Sequence, residues 1–144
     1  MSGRAAIGHV GLTVASLERS LDFYRDAIGM EELDRHEFSE PSFGELTGNP
    51  GARIRTALLR AQHLVLQLVE YVDGGGDSLR LDHCRVGTPH FSFAVEDVEA
   101  SFEKMVANEV EVTSEIVAIT DRIRSFYVAD PDGVPVELME GLYP

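Results

Sequence analysis

The sequence predicts an α+β protein built from two copies of one βαβββ unit, and three self-similar segments predict it. "IGHVGLTVASLERS", from Ile7, matches "TPHFSFAVEDVEAS", from Thr88, and sets His9 over His90. "RIRTALL", from Arg53, matches "RIRSFYV", from Arg122, and "LVLQLVE", from Leu64, matches "VPVELME", from Val134, with Gln67 over Glu137 and Glu70 over Glu140. Agreement in three separated places, in the same order, marks an internal repeat.

Each element has its own signal. A first strand is expected over about Ile7 to Val14. The segment "SLERSLDFYRDAIG" repeats apolar residues at Leu17, Leu21, Tyr24 and Ile28, a helical spacing, with Ser16 as N-cap and Gly29 as C-cap. Strands follow at about Met30 to Phe38, Ile54 to Arg60 and Leu64 to Tyr71. Between the first two of these, "SEPSFGELTGNPGA" is rich in Gly, Pro, Ser and Asn and predicts a long loop. The pattern then restarts with a strand at "HFSFAV", a helix at "DVEASFEKMVA" and strands near "VEVTSEIVA", "RIRSFYVA" and "VPVELME". The expected organisation is a single domain over residues 1–144, with one module at about 5–73, a linker at about 74–86 and a second module at about 87–141.

Composition narrows the function. The chain has 144 residues, 44% of them hydrophobic, with 12 Lys and Arg against 25 Asp and Glu, a formal charge of -13. Such a surface repels phosphate backbones and anionic lipids, so neither a nucleic-acid nor a membrane partner is expected. No apolar run approaches the length of a membrane span and "MSGRAAIGHV" lacks a secretory pattern, which predicts a cytoplasmic protein. Cys84 is the single cysteine, so any metal site must use His, Glu, Gln or Asp.

Strand parity sorts the polar residues. Val10, Leu12 and Val14 make an apolar face suited to a helix, and His9 lies on the other face with Gly11 and Thr13. Phe91, Phe93 and Val95 oppose His90, Ser92 and Ala94. Gln67 shares a face with Val69 and Tyr71 against Leu66 and Leu68, and Glu137 shares one with Pro135 and Met139 against Val136 and Leu138. Each module therefore offers one His and one Gln or Glu away from its helix. Two imidazoles, an amide oxygen and a carboxylate suit one divalent ion, Co, Ni, Zn, Mn or Fe(II), with positions left for substrate. Thr13, Ser92 and Tyr71 on the same faces are substrate-binding candidates. His36, His63 and His83 have no repeat partner and read as surface residues, His83 nearest to a pocket edge.

"GHVGLTVASLERSLDFYRDAIGM" and "DPDGVPVELME" resemble the opening strand and helix and the closing hairpin of the vicinal oxygen chelate superfamily, which includes glyoxalase I, methylmalonyl-CoA epimerase, extradiol dioxygenases and bleomycin resistance proteins. The resemblance covers nearly the whole chain. It implies two modules forming an open, cup-shaped mixed β-sheet barrel with helices outside, a homodimer, a small-molecule substrate, and metal ligands at His9, Gln67, His90 and Glu137. The set His, Gln, His, Glu is similar to that of the epimerases, whereas bacterial glyoxalase I usually carries Glu where Gln67 stands. One carboxylate leaves a dication net positive, which favours an anionic bidentate ligand.

The resemblance thus implies a metal-dependent lyase or isomerase that stabilises the enediolate of a small substrate chelated through two oxygens, with Glu137 as both ligand and base. The glutamate that epimerases carry before the third strand is absent, Gly51 falling there, with Glu40 and Glu45 in the neighbouring loop. A second reading is an Fe(II) extradiol dioxygenase cleaving a catechol, with Tyr127 where such enzymes carry a catalytic tyrosine and Ala118 where they carry an acid-base histidine. A third is a metal-free drug-sequestering protein. Arg53, Arg55, Arg122 and Arg124 read as solvated strand ends, and "GGGD" at Gly74 as linker rather than phosphate loop.

Overall fold

The computed structural model describes residues 3–141, which fall into two compact units divided after Ser78. The first contains a four-stranded mixed sheet, order β1-β4-β3-β2, made of β1 (Val10–Thr13), β2 (Glu31–Phe38), β3 (Arg53–Ala61) and β4 (Leu64–Asp73). β1 runs parallel to β4 and the other pairs are antiparallel. The second contains β5 (Phe91–Val95), β6 (Glu111–Val112), β7 (Val117–Ala118), β8 (Arg124–Ala129) and β9 (Pro135–Glu140), ordered β5-β9-β8-β6, with β7 also paired to β8. Here too the first strand is parallel to the last.

The first helix, α1 (Leu17–Leu21), widens without a break into a π-helical stretch, Asp22–Ile28. Ser16 Oγ accepts from the Arg19 N–H, and Gly29 closes the helix in the left-handed region at φ 99°, its N–H bonding the Tyr24 carbonyl. The wider turn explains a departure from simple periodicity. Phe23 and Ala27 are buried together with Leu21 and Tyr24, because five-residue hydrogen-bond spacing draws more of the helix onto the sheet.

Three expectations change. The expected loop after β2 holds a short helix, α2 (Pro41–Thr47). Pro41 sits in the first turn, where its missing N–H costs nothing, and Gly48 ends the helix at φ 72°. Gly44 is buried there, and a Cβ on it would come within 2.7 Å of the Asn49 carbonyl oxygen, so the tight return to β3 requires glycine. In the second unit the strand expected near "VEVTSEIVA", the second of its module, is split into β6 and β7. Between them Ser114 Oγ, rather than a carbonyl, accepts the Tyr127 N–H at 2.8 Å, which interrupts the ladder without leaving the donor unsatisfied. The first strand also begins at Val10, leaving His9 just outside it.

The repeat extends to one further device. Glu70 at the end of β4 accepts the Leu17 N–H at 2.6 Å, and Glu140 at the end of β9 accepts the Val98 N–H at 2.8 Å, each on the first turn of its unit's helix. Arg55 pairs with Glu70 at 2.7 Å and Arg124 with Glu140 at 3.0 Å. Arg55 and Arg124, expected as solvated strand ends, are thus braces between sheet and helix terminus, whereas Arg53 pairs with Glu37 and Asp73. In α3 (Val98–Ala107), Asp97 supplies the side-chain cap to Ala100.

Both glutamates titrate accordingly. Burial works against ionised Glu70, but the Leu17 N–H and the Arg55 guanidinium outweigh it and hold its carboxyl below the ordinary value. The Val98 N–H and then Arg124 do the same for Glu140. A folded value below the unfolded one gives stability that is fully present above the ordinary value of 4.5 and lost as pH falls through the lowered ones. Chemical denaturation should show stability falling below about pH 4.5, and Glu70→Gln should flatten that fall while lowering neutral-pH stability by about 1 kcal/mol. An unchanged acid limb in Glu70→Gln would remove this account.

Candidate functional site

In the first unit, register carries the geometry. Gly11 pairs with Gln67 and Thr13 with Val69 along the parallel β1–β4 ladder, while Leu58 of β3 pairs with Gln67 from the other side. Leu66 and Leu68 are fully buried beside α1, so the half-buried Gln67 lies on the opposite face. Thr13, Val69 and Tyr71 belong to that face as well. Tyr71 meets Phe43 of α2 at a ring separation of 6.3 Å, and Phe43 meets Phe38 at 6.3 Å. His9 is exposed, two residues before the partner of Gln67. Glu40, the residue before α2, and Glu45 within it are exposed.

In the second unit, α3 packs on β8 and β9 through Phe102 and Phe126, whose rings lie 5.1 Å apart. Glu137 is on the opposite side of β9, only 8% exposed. Its strand partners are Ser92 on β5 and Tyr127 on β8. Ser125 Oγ donates to Glu137 Oε1 at 2.8 Å, and the Tyr127 hydroxyl donates to Oε2 at 3.4 Å. Burial, and then the neighbouring Glu137 charge, raise the Tyr127 phenol above its ordinary value, keeping it a donor. His90, exposed just before β5, has its ring 6.4 Å from that of Tyr127. The structure thus gathers Glu137, Tyr127, His90 and Ser92 of the sequence candidates onto one face.

Ser125 and His83 join this group. The His83 ring lies 5.0 Å from His90 and 5.6 Å from Tyr127, against which it stands nearly perpendicular. His83 belongs to the segment joining the two repeats, so repeat matching could not select it. Ser125 aligns with Thr56 in the repeat and was legible only through strand parity. Next to these residues is a cavity of about 490 Å³ lined by residues of the joining segment and of β8 and β9.

Donor chemistry favours a cation at Glu137. Among the described residues no ion pair involves this buried carboxylate, which meets two hydroxyls instead. A buried acid without a cationic partner is costly unless a metal or a proton completes it. Asp97, Glu99 and Glu140 form a different acidic cluster, with ligand atoms within 4.8 Å of one another. Arg124 already pairs with both Glu99 and Glu140 there, so that cluster is part of the brace.

Comparison with known proteins agrees with this architecture. The profile of the Glyoxalase/Bleomycin resistance protein/Dioxygenase superfamily matches residues 6–138. A lactoylglutathione lyase of Escherichia coli O157:H7 is 26% identical over 135 residues, covering 92% of this chain and 90% of that protein. A manganese-dependent 2,3-dihydroxybiphenyl 1,2-dioxygenase of Geobacillus genomosp. 3 is 32% identical over 112 residues, which are 75% of this chain and 27% of that longer enzyme. Among solved structures, a glyoxalase family protein from Bacillus cereus superposes with a TM-score of 0.85 at 20% identity, covering 99% of both chains.

Proposed function

The chain belongs to the Glyoxalase/Bleomycin resistance protein/Dioxygenase superfamily, and on that premise we propose that it is a divalent-metal-dependent lyase or isomerase acting on a small substrate with two neighbouring oxygens. The observation that carries the proposal is Glu137: buried, free of any cationic partner among the described residues, and oriented by Ser125 and Tyr127. His90 beside it is proposed as a second donor, and His9 and Gln67, the repeat-equivalent residues, as the donors that the family resemblance implies. When bound, the ion supplies a Lewis acid for the two substrate oxygens. Glu137 takes the proton α to the substrate carbonyl, and the Tyr127 hydroxyl fixes the carboxylate that receives it. Ser92, the strand partner of Glu137, is proposed to contact the substrate, and Thr13 and Tyr71, on the Gln67 face, are the first unit's candidates for that role.

Metal analysis of the purified protein tests this directly. One equivalent of Co, Ni, Zn, Mn or Fe(II) is expected in the parent, with large losses in Gln67→Ala and His90→Ala. A parent that binds no divalent ion would leave the metal-free binding protein as the better description.

The Tyr127–Glu137 contact and the similarity to the Geobacillus enzyme support a second reading, an extradiol dioxygenase. Oxygen uptake with catechols supports that reading; deuterium exchange into a 2-oxo substrate or a thioester, without oxygen uptake, supports the isomerase. No helix of the described residues is long and apolar enough to cross a membrane. A cytoplasmic homodimer completes the proposal, its assembly measurable by sedimentation equilibrium.

A further inference from the structure

The cavity of the second unit has a chemistry of its own. It measures about 490 Å³, within the range of pockets that hold a small organic molecule. Its lining includes Leu81 and His83 of the joining segment, Tyr127 and Ala129 of β8, Thr113 and Pro135. No Lys or Arg lines it. Its one acid, Asp82, is held by Arg80 at 2.9 Å and Arg85 at 2.8 Å. Tyr127 is shared: its ring lines the cavity and its hydroxyl reaches Glu137. A molecule whose oxygens lie near Glu137 would therefore place its remaining body over Tyr127 and against Leu81 and Ala129.

We propose that this cavity binds the uncharged, apolar body of the substrate, an aromatic group of one or two rings, and that it excludes an anionic carrier such as glutathione or coenzyme A. The inference deepens the function proposed above and rests on it for the position of the reacting oxygens. Charge decides between the two kinds of substrate. No guanidinium or ammonium is on the lining, and the two nearest Asp82, those of Arg80 and Arg85, are already engaged by it, so a carboxylate or phosphate desolvated here gains no cationic partner from the cavity wall. An aromatic ring gains burial against Leu81, Ala129 and Pro135 and an edge or face contact with Tyr127.

The test uses the full chain freed of metal by chelation, so its outcome is separable from that of the metal site. 2-Naphthol is titrated in while methyl NMR signals of Leu81, Thr113, Val128 and Ala129 are followed. The expected result is saturable binding centred on these methyls, weakened by at least about tenfold in Ala129→Trp, which fills the cavity, and not displaced by S-methylglutathione. Leu81→Ser, on the half-buried joining segment, should weaken binding too and serves if the tryptophan variant does not fold. Shifts scattered over the surface, unchanged affinity in Leu81→Ser, or displacement by S-methylglutathione would each overturn the proposal. A chain that takes up naphthol but never binds a divalent ion would keep this inference and lose the metal reading. Metal binding without naphthol uptake would do the reverse.

Discussion

Glu137→Gln is expected to abolish stoichiometric divalent-metal binding while leaving the metal-free fold within about 1 kcal/mol of the parent. The substitution keeps shape and an acceptor for the Ser125 hydroxyl, which lies 2.8 Å from Oε1, so the packing of β8 against β9 should survive. It removes the charge that has no cationic partner within the described residues. In a structural role that loss would be felt by the fold; in a ligand role it is felt by the metal. Thermal unfolding with and without Mn, Co or Zn separates the two. At a hundredfold excess over its dissociation constant an ion adds about 2.7 kcal/mol to the protein it binds. The parent should rise in Tm accordingly and Glu137→Gln should not. Turnover should fall by about 10²-fold or more, the usual scale for losing a positioned acid-base group. A variant that still rises in Tm with metal would remove Glu137 from the donor set.

The parts of this molecule that were legible in the sequence share a short repeat period or a repeat partner. Gln67 and Glu137 stood out because strand side chains alternate strictly, and the fully buried Leu66 and Leu68 bear out that parity. Glu70 and Glu140 were visible as matched letters, yet their role was not. Their service to Leu17 and Val98 depends on the parallel pairing that brings the last strand beside the helix start, a contact between distant segments that local pattern does not encode. Helix α2 was hidden because Pro41, Gly44 and Gly48 read as loop residues one at a time. In place they are an N-terminal proline, a close approach and a left-handed cap, each compatible with a helix. His83 had neither period nor partner. Its position beside His90 and Tyr127 follows from the path of the joining segment alone.

Phe126→Ala is expected to cost about 3 to 5 kcal/mol, enough to consume much of the stability of a domain this size. Phe126 is 1% exposed, pairs with Leu138 across the ladder and meets Phe102 of α3 edge-on, so truncation leaves a cavity directly behind Tyr127 and Glu137. The repeat makes a sharper test available. Ala57 is the counterpart of Phe126 in the first unit and is fully buried, while Leu21 and Tyr24 of the first helix align with Phe102 and Met105 of α3. Bulk is distributed differently in the two cores: the second unit has Phe102 against Phe126, the first has Leu21 and Ala57 at the aligned positions and the larger Tyr24 where the second has Met105. Ala57→Phe should therefore destabilise too, by about 1 to 3 kcal/mol, because the fully buried Ala57 sits in a core already filled by the bulky Tyr24 and its neighbours. Urea unfolding of both single variants measures this. If Ala57→Phe were neutral, the two units would share one interchangeable core, and the argument from exchanged volume would fail. If Phe126→Ala lowers stability and metal uptake together, the core behind β8 is what holds the Tyr127–Glu137 pair in place.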